Sequence, residues 1–239
     1  MKFMKNKKKN LLIIFIKEPC AGQVKTRLQP ELSKENTLDF YMAMVEDLIA
    51  QFSNGQSFDT VLFFSPASAK QKLQKWLGNG LNFHPQKGRD LGMRMQNAFS
   101  WAFKHGWKKA VLVGSDIPTL DLQTIENAFT NLNDHDVVFG PSDDGGYYLI
   151  ALKEMNKIYF HDIVWSTENV LSDSLEKALF AQHSVHLLGQ KTDIDTFQDV
   201  LAFWHDLSNS DLLQQRLTNT FGMLGKILKR LAVTLLAAI

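Results

Sequence analysis

The sequence predicts an α/β fold: a single Rossmann-like, three-layer domain around a mostly parallel mixed sheet, with a helical C-terminal extension. Three observations carry that expectation. The runs Leu11-Leu12-Ile13-Ile14-Phe15-Ile16 and Ala110-Val111-Leu112-Val113 are apolar without interruption, the pattern of parallel strands covered on both faces. Between such runs lie segments with apolar residues at helical spacing, and strand–helix alternation implies right-handed crossovers. At 239 residues and 45% apolar composition the chain can fill one large core, and no internal repeat, low-complexity tract or Pro/Ser-rich linker divides it. The expected boundaries are a basic N-terminal tail over 1–10, the domain over 11–208 and the helical extension over 209–239.

The first strand is the run at 11–16. Ser33 caps a helix whose apolar positions Leu38, Met42, Val45, Leu48, Ile49 and Phe52 recur at helical spacing, and Asn54-Gly55 ends it. A strand over 60–64 precedes a helix over 67–77, stopped by Gly78-Asn79-Gly80. A short strand over 81–86 leads to a helix over 91–105 with Met95, Ala98, Phe99 and Ala102 facing inward. The run at 110–113 is the central strand, and Asp121 caps the helix that runs to about Leu132. Strands at 137–139 and 147–151 flank the turn 140–146. A helix over 167–181, a strand over 184–188 and helices from Thr196 onward complete the order.

The net charge of +1 leaves no excess for a long phosphate backbone, so nucleic acid is not an expected partner. The basic residues are clustered nonetheless: Lys2, Lys5, Lys7, Lys8 and Lys9 crowd the N-terminus, and Lys226, Lys229 and Arg230 lie near the C-terminus. The single cysteine, Cys20, excludes an intramolecular disulfide and fits a reducing, cytoplasmic compartment. The apolar stretch at 11–16 is shorter than the roughly 7–15 residues of an export signal, and nothing approaches the ~20 apolar residues of a membrane span. Near the C-terminus Phe221, Leu224, Ile227, Leu228, Leu231 and Leu235 recur at helical spacing between cations. Such a helix either packs on the domain or makes a peripheral membrane contact.

Candidate functional residues gather at strand ends. The loop from Lys17 to Leu28 follows the first strand directly. Pro19 and Gly22 break regular structure, Gly22 lets a ligand approach the backbone, and Lys17, Lys25 and Arg27 supply charge for a diphosphate or triphosphate. The spacing is neither a Walker A loop nor a dinucleotide fingerprint, and an ordinary basic surface loop is the alternative. Gly114-Ser115-Asp116-Ile117-Pro118 follows the central strand, where Asp116 can meet a magnesium ion that takes its other ligands from phosphate and water. The turn Pro141-Ser142-Asp143-Asp144-Gly145-Gly146 carries more acid and glycine than a plain hairpin needs. Thr192-Asp193-Ile194-Asp195-Thr196 opens a helix, with Asp195 as its default N-cap.

Taken together, these segments resemble the GT-A-type nucleotide-diphospho-sugar transferase superfamily, in particular the radical-SAM/selenodomain-associated transferases. The resemblance rests on Val24-Lys25-Thr26-Arg27-Leu28, Gly114 to Pro118, Gly140 to Leu149 and Asp193-Ile194-Asp195-Thr196, with Gln86 to Met95 and Trp165-Ser166-Thr167 in support, and spans roughly 11–205. It implies metal ligation (Mg²⁺ or Mn²⁺) by Asp116 and Asp195, phosphate binding by Lys25 and Arg27, a nucleotide cleft lined from Asp90 to Arg94, and a role for Asp144 near the acceptor. One departure is visible: Ser115 precedes Asp116 and Pro118 stands where sugar transferases of this fold often carry a second acid. The expected activity is glycosyl transfer from a nucleotide-sugar to a small acceptor, with Asp144 as base. Nucleotidyl transfer from a nucleoside triphosphate with release of pyrophosphate is the alternative, because Lys25-Thr26-Arg27-Leu28 is similar to the corresponding part of 2-phospholactate guanylyltransferases. Non-catalytic nucleotide binding is a third reading.

Overall fold

A seven-stranded mixed sheet organises the computed structural model, which describes residues 8–53 and 57–237, with side chains of the last helix described through Val233. The cations Lys2, Lys5 and Lys7, the stop at Asn54-Gly55 and the side chain of Leu235 lie outside the described residues. The strands are β1 (Asn10–Lys17), β2 (Asp59–Ser65), β3 (Phe83–Pro85), β4 (Lys109–Val113), β5 (Val137–Pro141), β6 (Tyr147–Leu152) and β7 (Val185–Leu187). Their order is β3-β2-β1-β4-β6-β5-β7. Only β6 runs antiparallel to its neighbours; the remaining pairs are parallel. The helices are α1 (Lys34–Phe52), α2 (Lys70–Leu77), α3 (Leu91–Lys104), α4 (Leu122–Asn131), α5 (Val170–Phe180), α6 (Phe197–Ser208), α7 (Asp211–Arg216) and α8 (Thr218–Ala237). The mostly parallel α/β architecture expected from the apolar runs is therefore the one observed.

Burial explains why those runs are strands. Leu11, Leu12, Ile13, Ile14 and Ile16 are all buried, so both faces of β1 are covered. On one face Leu11, Ile13, Ala110, Leu112, Phe139 and Ile150 pack with Met95, Ala98, Phe99 and Ala102 of α3 and Ala178 of α5. Trp101 and Trp107 join this layer: Trp107 Nε1 donates to Asp59 Oδ2 at 2.9 Å, and the Trp101 ring centroid lies 4.2 Å from that of His84. Burial, followed by the charges of His105 and Lys70, holds the His84 imidazole below its ordinary pKa. Asp121 caps α4 by accepting from Thr124 N at 2.8 Å.

Three elements differ in detail from the sequence reading. The helix expected over 67–77 opens with a 3₁₀ turn (Ala67–Ala69), and the strand expected over 81–86 is shorter, Phe83–Pro85. The helix expected from 167 begins at Val170, with Asn169 at its N-cap and a turn over 167–169 following the left-handed Ser166 (φ 66°).

The chain divides into two compact units. The first joins the segment ending at Glu18 to Phe52–Asp193 and contains the sheet; the second joins Pro19–Gln51 to the segment from Ile194 onward. The second unit has its own core, built from Leu28, Leu32, Phe40, Met44, Val200, Phe203, Leu224 and Ile227. Trp204 and Phe221 stack with ring centroids 5.3 Å apart. The apolar stripe of α8 is thus used within this unit, while Lys226, Lys229 and Arg230 lie on its exposed side. Buried Asp47 of α1 accepts from Asn219 N (3.1 Å), Asn219 Nδ2 (3.0 Å) and Thr220 N (2.8 Å). It places a carboxylate at the N-terminus of α8, where backbone N–H groups lack helical partners. Among the described residues no helix is long and apolar enough to cross a membrane.

Candidate functional site

The strand order creates a switch point. From β1 the chain proceeds to β2 and β3 on one side, then crosses to β4 on the other side of β1. The carboxyl ends of β1 and β4 therefore flank a topological switch point, where open α/β sheets bind ligands. Lys17, exposed, is the last residue of β1, and Asp116 follows β4 by three positions. Ser115 and Ile117, both buried, anchor the loop on either side of the half-buried Asp116. Lys191 Nζ donates to Thr119 O at 3.3 Å and ties this loop to the segment after β7.

Loops at the same edge are held by their own polar side chains. Gln86 Nε2 donates to Phe63 O at 3.0 Å, Arg94 Nε to Gly88 O at 3.2 Å, and Asn97 Nδ2 to Lys87 O at 2.8 Å. Asp90 caps α3 by accepting from Met93 N at 2.7 Å. Asp90 and Arg94, expected to line a nucleotide cleft, thus shape the loop between β3 and α3. Gly88 sits at φ 142°, and a β-carbon there would lie 2.7 Å from Arg94 N, so the approach needs glycine.

The turn between β5 and β6 is equally fixed. Asp144, exposed, accepts from Ser142 Oγ at 2.6 Å and from Gly146 N at 2.9 Å. Asp143, which sequence reasoning gave no role, accepts from Gln190 Nε2 at 2.5 Å and from Thr192 Oγ1. Its partners lie almost fifty positions away, so no local pattern could have revealed the pairing. Tyr148 OH donates to Gly189 O at 3.0 Å, and burial, with the Asp121 charge, pushes its pKa up to about 12. It is a fixed donor near neutral pH rather than a proton shuttle.

A strap over 164–169 lies against both loops. A β-carbon on Gly92 at the start of α3 would come within 2.4 Å of Trp165 Nε1, and one on Gly145 within 2.0 Å of Glu168 O. Trp165 also meets Tyr147 edge-on, ring centroids 6.5 Å apart. Gly92→Ala is therefore expected to displace the indole and to destabilise the fold by about 1–3 kcal/mol, the usual effect of overpacking. Urea denaturation, with the fluorescence of Trp165 identified through Trp165→Phe, checks this.

The remaining candidates lie in the second unit. Gly22 has φ 80°, and Lys25 has the left-handed φ of 46°. Lys25 Nζ donates to Ile194 O at 2.7 Å and meets Asp195 Oδ1 at 3.2 Å, while Arg27 NH1 meets Asp195 Oδ2 at 2.9 Å. The Lys25 side chain is 4% exposed and that of Arg27 73%. The N-cap expected at Asp195 is instead Thr196, whose hydroxyl and backbone complete a capping box with Asp199. The reason is geometric: Asp195 has its carboxylate turned to the cations, and its backbone N donates to Asp199 Oδ2 at 3.1 Å. Lys25, Arg27 and Asp195 are thus brought together in one unit, and Lys17, Asp90, Arg94, Asp116 and Asp144 belong to the other.

The donor set can be matched to a metal. Among the described residues no three His, Cys, Asp or Glu side chains gather into one cluster. A half-buried carboxylate at a strand end fits Mg²⁺ or Mn²⁺ shared with ligand phosphates, which needs only one or two protein carboxylates, and does not fit a cage made by protein alone.

A protein-family profile described as an uncharacterized protein conserved in bacteria, DUF2064, matches residues 48–167, just over half of the chain. The chain belongs to the DUF2064 family. The matched segment carries the sheet from β2 to β6, including Asp90, Arg94, Asp116 and Asp144. A 2-phospho-L-lactate guanylyltransferase from Methanocaldococcus vulcanius is 28% identical over 148 residues, 62% of this chain; the chain spans 64% of that relative's length. The crystal structure of a candidate nucleotide-diphospho-sugar transferase from Desulfovibrio desulfuricans G20 superposes with a TM-score of 0.84 at 29% identity, covering 92% of this chain and 98% of the other. A 4-diphosphocytidyl-2C-methyl-D-erythritol synthase from Anaerococcus prevotii shares the fold, with a TM-score of 0.56 at 9% identity over 84% of this chain and 96% of its own. The fold of this DUF2064 protein is that of nucleotidyl and nucleotide-sugar transferases.

Proposed function

We propose that this chain transfers a nucleotidyl group from a nucleoside triphosphate to a small-molecule acceptor, releasing pyrophosphate. The observation that carries the reading is the 28% identity to a guanylyltransferase over 148 residues. The position of Asp116 at the topological switch point supports it physically. In the reaction an acceptor oxygen attacks the α-phosphorus, the new O–P bond forms, and the bond to the bridging oxygen breaks with its electron pair leaving on pyrophosphate.

Asp116 would hold a divalent cation together with the donor's phosphates; once bound, the cation neutralises charge on the departing pyrophosphate. Within the second unit Arg27, exposed and planar, is suited to contact phosphate oxygens as a charge-assisted donor. Lys25 adds positive charge beside it. Asp144, exposed on a fixed turn, orients the acceptor or accepts its proton. The loop between β3 and α3, held by Gln86, Asp90 and Arg94, borders the nucleotide.

Glycosyl transfer from a nucleotide-diphospho-sugar is the second reading, favoured by the extensive superposition on the Desulfovibrio protein. The lack of a second acid at Pro118 weighs against it.

Arg27→Ala is expected to weaken nucleoside triphosphate affinity by about 1.5–3 kcal/mol, the range for a charged hydrogen bond, and Arg27→Lys to recover only part of it. Calorimetric titration with GTP and CTP in the presence of Mg²⁺ tests this. Unchanged affinity in both variants would remove Arg27 from the site.

A further inference from the structure

Lys25 and Arg27 converge on one anion. Asp195 offers its two oxygens separately, Oδ1 to Lys25 Nζ at 3.2 Å and Oδ2 to Arg27 NH1 at 2.9 Å. Two cationic donors bridging neighbouring oxygens of one anion is also how a phosphate group is gripped. We propose that Asp195 is a resident stand-in for phosphate, holding this clamp until the phosphates of a nucleotide or pyrophosphate displace it from Arg27. The inference rests on the nucleotide-transferase reading above and divides the labour of the two cations.

Lys25 is the positioning residue. Its side chain is 4% exposed and its ammonium also donates to Ile194 O at 2.7 Å, so it pins the loop before α1 to the segment before α6. Its left-handed backbone (φ 46°) accompanies this inward turn of the side chain. Arg27 is the movable member: at 73% exposure its guanidinium can change partner with little new desolvation. Asp195 is suited to release, because its carboxylate is 37% exposed while its backbone N stays bonded to Asp199 Oδ2 at 3.1 Å. The exchange is therefore a side-chain rotation. It leaves the start of α6 where it is. A carboxylate in the clamp competes with an incoming phosphate, so removing its charge strengthens anion binding, opposite in sign to the loss of an ordinary ligand contact.

The test is calorimetric titration of the full chain with inorganic pyrophosphate in EDTA, which removes any contribution of Asp195 to metal. Wild type, Asp195→Asn, Arg27→Ala and the double variant are compared. Asp195→Asn is expected to lower Kd about two- to fivefold, the scale of competition by partly exposed ion pairs, and the gain should vanish in the Arg27→Ala background. Weaker binding in Arg27→Ala with no gain in Asp195→Asn overturns the stand-in and leaves the phosphate reading intact. No binding by wild type or Asp195→Asn overturns the stand-in, and the titrations with GTP and CTP in Mg²⁺ then decide the nucleotide reading separately. Should Asp195→Asn fail to fold, the carboxyl ¹³C resonance of Asp195 in the wild type, assigned through Asp195→Glu, must shift as pyrophosphate saturates; a stationary resonance overturns the proposal.

Discussion

Replacing Asp116 by alanine is expected to lower turnover by about 10²–10³-fold while cooperative unfolding is retained. The size follows from removing a preorganised charge that acts where negative charge develops on the leaving group. Retention of the fold follows from the neighbours, since Ser115, Ile117 and Leu120 anchor the loop by burial. Pyrophosphate released from a nucleoside triphosphate, measured against Mg²⁺ concentration, is the readout. Asp116→Asn should lose nearly as much as Asp116→Ala, because the amide oxygen retains the shape and not the charge. Wild-type turnover indifferent to chelator would contradict this role.

The largest stability effect is expected at Asp47. Asp47→Ala leaves the amides of Asn219 and Thr220 without their buried acceptor at the start of α8. The cost is about 2–4 kcal/mol, combining charged hydrogen bonds with unsatisfied donors. Asp47→Asn keeps one acceptor oxygen and should lose about half as much. Urea denaturation followed by circular dichroism checks both variants, and equal losses would mean that charge, rather than hydrogen bonding, anchors the helix.

The sheet was legible because its signal is local. The run from Leu11 to Ile16 has no polar residue to turn outward, so it could only be a strand covered on both faces. Asp121 was readable as a cap for the same reason, since its partner Thr124 is three positions away. The cap at Thr196 was misread one residue early. A capping box requires knowing which of two adjacent polar residues turns toward the helix, and Asp195 is drawn away by Lys25 and Arg27 from far up the chain.

The candidate site was legible only in part, again for reasons of distance. Asp116 and Asp144 follow apolar strands and announce themselves as acids at strand ends. The engagement of Lys25 and Arg27 with Asp195, and of Asp143 with Gln190 and Thr192, spans long stretches of chain and leaves no periodic trace. The division into two units is of the same kind: the second is assembled from Pro19–Gln51 and the segment after Asp193, and neither piece carries a linker signal. Trp165 shows a further limit, because the sequence gives no hint that the indole seats on Gly92.

The central claim, that a nucleoside triphosphate is the donor, is tested most directly by which ligand stabilises the protein. Melting temperatures are measured with Mg²⁺ and saturating GTP, CTP, ATP or UTP, beside the corresponding nucleotide-diphospho-sugars. Binding to the folded state raises stability by about 2.7 kcal/mol at a ligand concentration of one hundred times Kd, a clear shift in melting temperature. The account predicts that a triphosphate gives the largest shift and that Arg27→Ala diminishes it. A shift from a nucleotide-diphospho-sugar with none from any triphosphate would contradict it.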